Sequence, residues 1–92
     1  MIKSIKHKGL KRLWEKNDAS KLPASQITKI EDILELLDAA TCKEDMNYPG
    51  SDFHELKGNL KGHCAVKVTG NYRITFRLEG EDVFDVNYTD YH

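Results

Sequence analysis

Apolar residues in the second half of the chain recur at every second position, which is the period of a β-strand. The segments with this pattern are residues 53–56, 64–68, 72–78 and 83–88. Short glycine-containing connections at 69–71 and 79–82 separate the last three of them. Because a parallel crossover needs about a dozen residues, connections this short predict antiparallel neighbours joined as a meander.

The first half of the chain shows helical spacing after a strand candidate at residues 2–7. Leu10, Leu13 and Trp14 would form one helical stripe, and Pro23 suits the first turn of a second helix. The apolar face of that second helix would comprise Ile27, Ile30, Ile33, Leu34, Leu37 and Ala40. Residues 41–51 are polar and should form a loop with Tyr48 exposed.

These elements predict an α+β fold of order β-α-α-β-β-β-β, with two N-terminal helices packed on a mainly antiparallel sheet. Residues 1–92 should form a single domain, because a chain of this length supports one modest core. A deep pocket for a large cofactor is not expected.

One face of the predicted sheet should carry positive charge. The residues expected to face the helices are Tyr72, Ile74, Phe76 and Leu78. Strand alternation then directs Arg73, Thr75 and Arg77 to the opposite side. Lys67, on the neighbouring strand, would join them there.

Charged residues lie in blocks although the net charge is only −1. Residues 1–30 hold eight Lys or Arg and two acids, and residues 31–55 hold one Lys and eight acids. Residues 56–77 hold five Lys or Arg and no acid, and residues 78–92 hold five acids alone. Such blocks could form one cationic surface for a polyanion and one anionic surface for a basic partner. Mutual neutralisation of neighbouring elements is the equally open alternative.

The acidic side of the second helix illustrates the two interpretations. Its residues are Glu31, Asp32, Glu35 and Asp38. They form a candidate docking surface for a basic partner, although a solvated helix face is the more common use of such a stripe.

The two cysteines, Cys42 and Cys64, match no zinc-binding spacing, and both are interpreted as small buried apolar groups. The neighbouring His63 should point to the face of its strand opposite Cys64. No apolar stretch suits a signal peptide or a membrane span. The chain is therefore expected to be cytoplasmic, with no membrane contact.

Four residues could together cleave a phosphodiester: His54, Lys57, Arg73 and His92. That chemistry needs a proton acceptor, a proton donor and positive charge near the phosphate, and these residue types supply all three without a metal. Lone histidines and exposed basic residues are more often structural or solvated. The residue types alone therefore leave both interpretations open.

The last five residues, Tyr88-Thr89-Asp90-Tyr91-His92, bring ionisable and aromatic groups to one strand end. They would have a fixed geometry only if they continue a strand docked in the sheet. Negative charge on Asp90 should favour the imidazolium form of His92, which suits a proton donor.

Several strings resemble the HigB toxins of the RelE/ParE superfamily. They are His54-Glu55-Leu56-Lys57-Gly58, Asn71-Tyr72-Arg73-Ile74-Thr75-Phe76, Asn87-Tyr88-Thr89-Asp90-Tyr91-His92, the opening decapeptide and residues 37–41. The resemblance implies a RelE-like fold and a ribosome-dependent endonuclease that cuts messenger RNA in the A site of the 70S ribosome. In such toxins a ribose 2′-OH attacks the adjacent phosphate, and no metal or cofactor is implied.

The resemblance also implies partners and site residues. A HigA-like antitoxin with a helix-turn-helix domain would hold the toxin inactive, and operator DNA would be contacted only through that antitoxin. The implied catalytic residues are His54, Asp90, Tyr91 and His92, and Lys57 and Arg73 would face the phosphate. Lys67, Arg73 and Arg77 on the cationic face are expected to engage RNA, with Asn71 either contacting a base edge or serving as an ordinary turn residue.

Two points stay open in the sequence. Strict alternation puts His54 and Lys57 on opposite faces, so both reach one substrate only if the strand ends or bulges near Leu56, as Gly58 would allow. The alternative function is that of the ParE relatives, which bind and inhibit DNA gyrase on the same fold. Fold alone does not separate the two functions.

Overall fold

The fold, described for residues 1–90 by a computed structural model, places two helices on a four-stranded sheet. The helices are α1 (Lys8–Lys16) and α2 (Ile27–Ala39), and the strands are β1 (His54–Glu55), β2 (Cys64–Lys67), β3 (Tyr72–Glu79) and β4 (Asp82–Asp90). The strands lie in the order β1-β2-β3-β4, each antiparallel to the next. This confirms the predicted α+β fold and the meander.

The predicted first strand is wrong in its detail. Residues 2–7 make only two isolated parallel bridges with β4, Ile2 to Val83 and Ile5 to Val86. The two bridges are three residues apart on each segment, whereas a regular ladder repeats every two residues, so no regular strand forms here. The regular elements therefore begin with a helix. The N-terminal segment is nevertheless held, because Asp38 of α2 accepts a hydrogen bond from the Ile2 N–H at 3.0 Å.

Helix α1 begins at a histidine cap. The Nδ1 atom of His7 accepts hydrogen bonds from the N–H groups of Gly9 and Leu10, at 3.1 and 3.2 Å. Burial lowers the pKa of His7, which keeps Nδ1 able to accept. The helix ends at Asn17, whose left-handed backbone (φ 54°) closes the last turn.

Helix α2 supplies most of the helical side of the core. Pro23 precedes a short 3₁₀ turn, Ala24–Gln26, so the α-helix itself begins only at Ile27. The buried residues of α2 are Ile30, Ile33, Leu34 and Leu37. They pack with Val66, Ile74, Phe76, Val83 and Val86 from the sheet. The predicted apolar face is thus confirmed, except that Ile27 is only half-buried.

A β-bulge shapes the middle of β4. Thr75 of β3 lies opposite Asn87, but Arg77 lies opposite Phe84, so β4 contains one extra residue between these pairs. Asp85 takes that place with a positive φ of 57°. The extra residue lets Val83 and Val86 face the core together and turns Asp85 toward the other side, where it contacts Arg77.

Two expectations about single residues need correction. Cys42 is exposed and only Cys64 is buried, where burial raises the pKa of its thiol. Tyr48 is half-buried and packs against the core, and burial raises the pKa of its hydroxyl. Thr75 faces away from the helices, as predicted, and is buried there (3% exposed).

Within residues 1–90, neither helix is long and apolar enough to cross a bilayer.

Candidate functional site

The face of the sheet turned away from the helices carries the residues singled out from the sequence; it is called the open face below. Strand register arranges its side chains in rows across the strands. His54 lies opposite Ala65, Ala65 opposite Thr75, and Thr75 opposite Asn87. Ala65 and Thr75 are small, so they form a low floor between His54 and Asn87.

A second row carries two cations, Lys67 and Arg73. Lys67 lies opposite Arg73, and Arg73 opposite Thr89. The Arg73 Nε donates to Thr89 Oγ1 at 3.4 Å, and Lys67 forms no ion pair with any residue between 1 and 90. Like charges directly opposite each other destabilise a sheet, so this pair indicates a surface shaped for an anion. Diagonal neighbours lie roughly 7–8 Å apart, which puts Lys67 within reach of an anion held beside His54.

The third row differs from the expectation for Arg77. Its guanidinium binds Glu79 (Nη1 to Oε1, 2.7 Å) and Asp85 (Nε to Oδ2, 3.2 Å), and hydrogen bonds to both raise its pKa. It also lies over the Phe84 ring, 4.9 Å from the centroid. Two carboxylates therefore compensate its charge. The positive charge of Arg77 is much less available to an anion than that of Lys67.

His63 joins this third row and is missing from the residues selected by sequence. Its side chain is 15% exposed, and Nε2 lies 3.9 Å from Asp85 Oδ2. Neither ring nitrogen hydrogen-bonds to another group of the described chain. The sequence signal was alternation with the buried Cys64, which places His63 on the open face.

His54 is held in one tautomer by its own loop. Nδ1 lies 2.9 Å from the carbonyl oxygen of Asp52, and because a carbonyl only accepts, Nδ1 must be the donor. In the neutral ring Nε2 is then the unprotonated nitrogen, which can accept a proton. Asp52 adopts a left-handed backbone (φ 49°), which orients its carbonyl. The side chain of His54 is half-buried.

Lys57 lies beyond the end of β1. The strand stops at Glu55, so alternation no longer decides the direction of residue 57. Gly58 follows with a φ of 71°, a conformation that turns the chain. Lys57 is exposed and lines a surface cavity of about 660 Å³. The condition under which His54 and Lys57 could act on one substrate is therefore met.

Asn71 is exposed at the tip of the β2–β3 hairpin. Its backbone N–H donates to Thr69 Oγ1 at 3.2 Å, a contact typical of a turn. Two residues separate it from Arg73, so it lies at the rim of the open face.

The C-terminal residues are only partly described. Asp90 is exposed and lies opposite Tyr72, so register assigns it to the helix side of the sheet rather than to the open face. Tyr91 and His92 lie outside the described residues. The structure thus brings His54, Lys67 and Arg73 together and gives Asp90 a place at the end of β4.

An aromatic cluster fixes the end of β4. The Tyr88 ring stacks on Tyr72 (centroids 5.1 Å apart) and meets His7 edge-on at 5.4 Å. Its hydroxyl donates to the side-chain oxygen of Gln26, which is buried before α2. These contacts hold the strand in place two residues before Asp90.

Known proteins resemble this chain over its whole length. Residues 3–92 match a family model described as the RelE-like toxin of the type II toxin–antitoxin system HigB. The Endoribonuclease HigB of Proteus vulgaris is 44% identical over 92 residues, covering all of both chains. Toxin HigB-1 of Vibrio cholerae is 37% identical over 79 residues, covering 84% of this chain and 83% of the relative.

Solved structures show the same fold at low identity. YafQ from Escherichia coli has a TM-score of 0.67 at 14% identity, covering 98% of this chain and 91% of the other. A chain of the heterotetrameric YoeB–YefM toxin–antitoxin complex from Staphylococcus aureus has a TM-score of 0.64 at 15% identity, covering 100% and 95%. These likenesses show the RelE-like fold.

Proposed function

Because the chain belongs to the HigB-like family of RelE-like toxins in type II toxin–antitoxin systems, we propose that it is a metal-independent endoribonuclease that stops translation by cutting messenger RNA. The full-length identity of 44% to an endoribonuclease supports the activity. The structural observation that supports the site is the open face, where strand register places Lys67 and Arg73 on the same side of the sheet as His54.

The reaction we propose is an internal transesterification. The ribose 2′-oxygen attacks the adjacent phosphorus, and the bond from phosphorus to the 5′-oxygen of the next nucleotide breaks. The products are a 2′,3′-cyclic phosphate and a 5′-hydroxyl. One group must take the 2′ proton and another must protonate the departing 5′-oxygen.

His54 is the proposed base, since its Nδ1 donates to the Asp52 carbonyl and its Nε2 is free to accept the 2′ proton. Arg73, Lys67 and Lys57 would stabilise the additional negative charge on the phosphate. The resemblance implies that His92 and Tyr91 are catalytic residues. His92 is the proposed acid, and Tyr91 would stack on a base or orient the His92 imidazole. Asp90, at the end of β4, would favour the protonated form of His92 by its charge.

The substrate we propose is messenger RNA in the ribosomal A site, in the cytoplasm. A sheet face with a low floor of small side chains suits a single strand that another body holds in place, because positioning supplies much of the rate in such reactions. The ribosome would be the body that holds the messenger RNA strand in place. Asn71, exposed at the rim, is the proposed contact to a base edge.

The family implies an antitoxin as partner. We propose that this antitoxin is HigA-like, carries a helix-turn-helix domain, and alone contacts operator DNA. The toxin would then need no DNA-binding surface of its own.

The test is a transcript cleavage map by primer extension, made with and without ribosomes. Cuts within codons that require ribosomes and vanish for His54→Gln would support the proposal. Cuts in free RNA of equal efficiency would remove the ribosome from it. Inhibited DNA supercoiling without RNA cuts would favour the ParE-like alternative.

A further inference from the structure

The loop between β1 and β2, residues 56–63, is a compact unit with its own backbone hydrogen bonds. Leu56 N donates to His63 O at 2.9 Å, His63 N to Leu60 O at 2.9 Å, and Lys61 N to Gly58 O at 3.1 Å. A 3₁₀ turn, Gly58–Leu60, lies inside it. The backbone positions from which its side chains start are therefore well defined.

A cavity of about 660 Å³ opens on this loop. Its lining residues are Glu55, Leu56, Lys57, Gly58, Lys61 and Gly62. Gly58 and Gly62 both have positive φ, 71° and 92°, and a Cβ built on either would meet nothing within 4 Å. The cavity is thus bordered by bare backbone on two sides and by two lysines.

The charge of the cavity is positive. Lys57 and Lys61 are both exposed, and neither forms an ion pair with a residue between 1 and 90. The one acidic lining residue, Glu55, binds Lys43 at 2.7 Å, and this contact raises the pKa of Lys43. The carboxylate is therefore compensated from outside, and the two lysines keep their net charge.

The lining suits a phosphate better than a base. Among residues 1–90, no aromatic ring, side-chain amide or guanidinium that could stack on or read a nucleobase lines it. Lysine ammonium groups act as compact point charges for phosphate oxygens. Contacts of this type position a nucleic acid without reading its sequence.

The cavity adjoins β1, the strand that carries His54, because Glu55 and Leu56, the two residues after His54, are part of its lining. Lys57 is two residues from the end of β1, where His54 lies, and Lys61 lines the same cavity four residues later. A strand with its scissile phosphate at His54 would pass Lys57 and bring its next phosphate toward Lys61.

We propose that Lys57 and Lys61 form a phosphate clamp for the backbone phosphate next to the scissile one, with Lys61 as a substrate-binding residue. The inference rests on the proposed function, because it takes RNA as the ligand. Lys61 would act on binding and not on the chemical step, since His54 and His92 are the proposed proton-transfer groups.

The experiment measures binding and cleavage separately. The probe for binding is a short single-stranded RNA with a 2′-O-methyl group at the scissile nucleotide, titrated by fluorescence anisotropy at several salt concentrations. Lys61→Ala should weaken binding and lower the slope of log K against log salt by about 0.7, the value for one phosphate contact on a single strand. Lys61→Arg should keep the slope, and Lys11→Ala, an exposed lysine of α1, serves as the matched control.

Chemical substitution of the RNA locates the contact. A methylphosphonate at the phosphate adjoining the scissile one should weaken binding to the wild-type protein and have little further effect on Lys61→Ala. Single-turnover cleavage of unmodified messenger RNA on programmed ribosomes, at saturating protein, should be the same for Lys61→Ala and wild type. Equal binding and salt slopes for Lys61→Ala and Lys11→Ala would overturn the clamp, as would RNA that fails to bind the wild-type protein at all.

Failure of the clamp differs from failure of the proposed function. If the wild-type protein cuts RNA but Lys61→Ala binds it normally, only the clamp is wrong. If the RNA binds through Lys61 but unmodified messenger RNA on programmed ribosomes is never cut, the proposed nuclease is wrong and the clamp stands.

Discussion

At the scale of single residues, hydrogen-bond partners decide which ionisable groups are available for chemistry. His54 donates one ring proton to the Asp52 carbonyl and keeps its other nitrogen to accept. Lys67 has no anionic partner among residues 1–90, whereas Arg77 has two. Residue type alone would rank both cations alike, but their surroundings separate them.

Replacing His54 tests the proposed base. His54→Gln should lower single-turnover cleavage on programmed ribosomes by about 10²–10⁴, the usual value of a positioned proton-transfer group. The side chain is half-buried but outside the core, so the variant should keep its circular dichroism spectrum and melting temperature. Undiminished cleavage by the folded variant would exclude His54 as base.

Lys67 and Arg77 should respond differently to substitution. Lys67→Ala should weaken RNA binding and lower its salt slope by about 0.7, because an uncompensated contact with a phosphate is lost. Arg77→Met should change the slope little and instead lower stability, since Asp85 and Glu79 lose their partner. Salt titrations and thermal melts of both variants make the comparison; equal slopes would contradict it.

At the scale of elements, side-chain packing between the end of β4 and the start of α1 connects the core to the site. Tyr88 binds Gln26 and stacks on Tyr72, so the end of β4 is anchored before Asp90. His7 meets the same ring edge-on while it caps α1. The start of one helix and the end of the last strand therefore share one aromatic cluster.

Tyr88→Phe should reduce stability and activity together. The change leaves the buried Gln26 side chain without its hydrogen bond, which costs about 1–3 kcal/mol. A looser end of β4 should also slow cleavage. Chemical denaturation and single-turnover rates measure both. Tyr72→Phe, which removes the hydroxyl from the other ring of the stack, is the control and should affect both quantities less.

The cap of α1 should make stability depend on pH. Because burial lowers the pKa of His7 in the folded protein, the cap contributes fully above the unfolded value of about 6.5 and is lost as pH falls through the lower folded value. His7→Asn keeps a good cap that does not titrate. The difference in unfolding free energy between wild type and variant should shift by about 1 kcal/mol in favour of the variant on acidification. A difference constant between pH 7.5 and 5 would contradict this account.

At the scale of the whole molecule, the sheet separates two surfaces of different charge. The open face carries Lys67 and Arg73, and the outer side of the helices carries a small cavity of about 190 Å³ with Glu31 and Glu35 at its edge. Leu13, Trp14 and Leu34 also line that cavity. Asp38, expected in the same acidic stripe, instead anchors the N-terminal segment through Ile2.

This division predicts independent effects on the antitoxin and on RNA. The double change Glu31→Lys and Glu35→Lys should slow association with the antitoxin if a basic segment docks there, because charges at the rim of an interface act mainly on the association rate. Cleavage by free toxin should stay normal, since both residues lie on the helix side. Stopped-flow association at two salt concentrations is the measurement. Unchanged association would assign the antitoxin to another surface.

The amino-acid sequence by itself determined the two helices, the antiparallel meander of four strands and the core faces of both helices, because hydrophobic periodicity and turn residues act locally along the chain. Alternation also assigned Lys67 and Arg73 to one side of the sheet, which the register confirms. The sequence did not reveal the bulge at Asp85, the two carboxylates on Arg77 or the position of His63 beside Asp85. Those features depend on which residues, distant in sequence, come into contact across the strands. Only the tertiary structure determines these contacts, since no local sequence pattern encodes them.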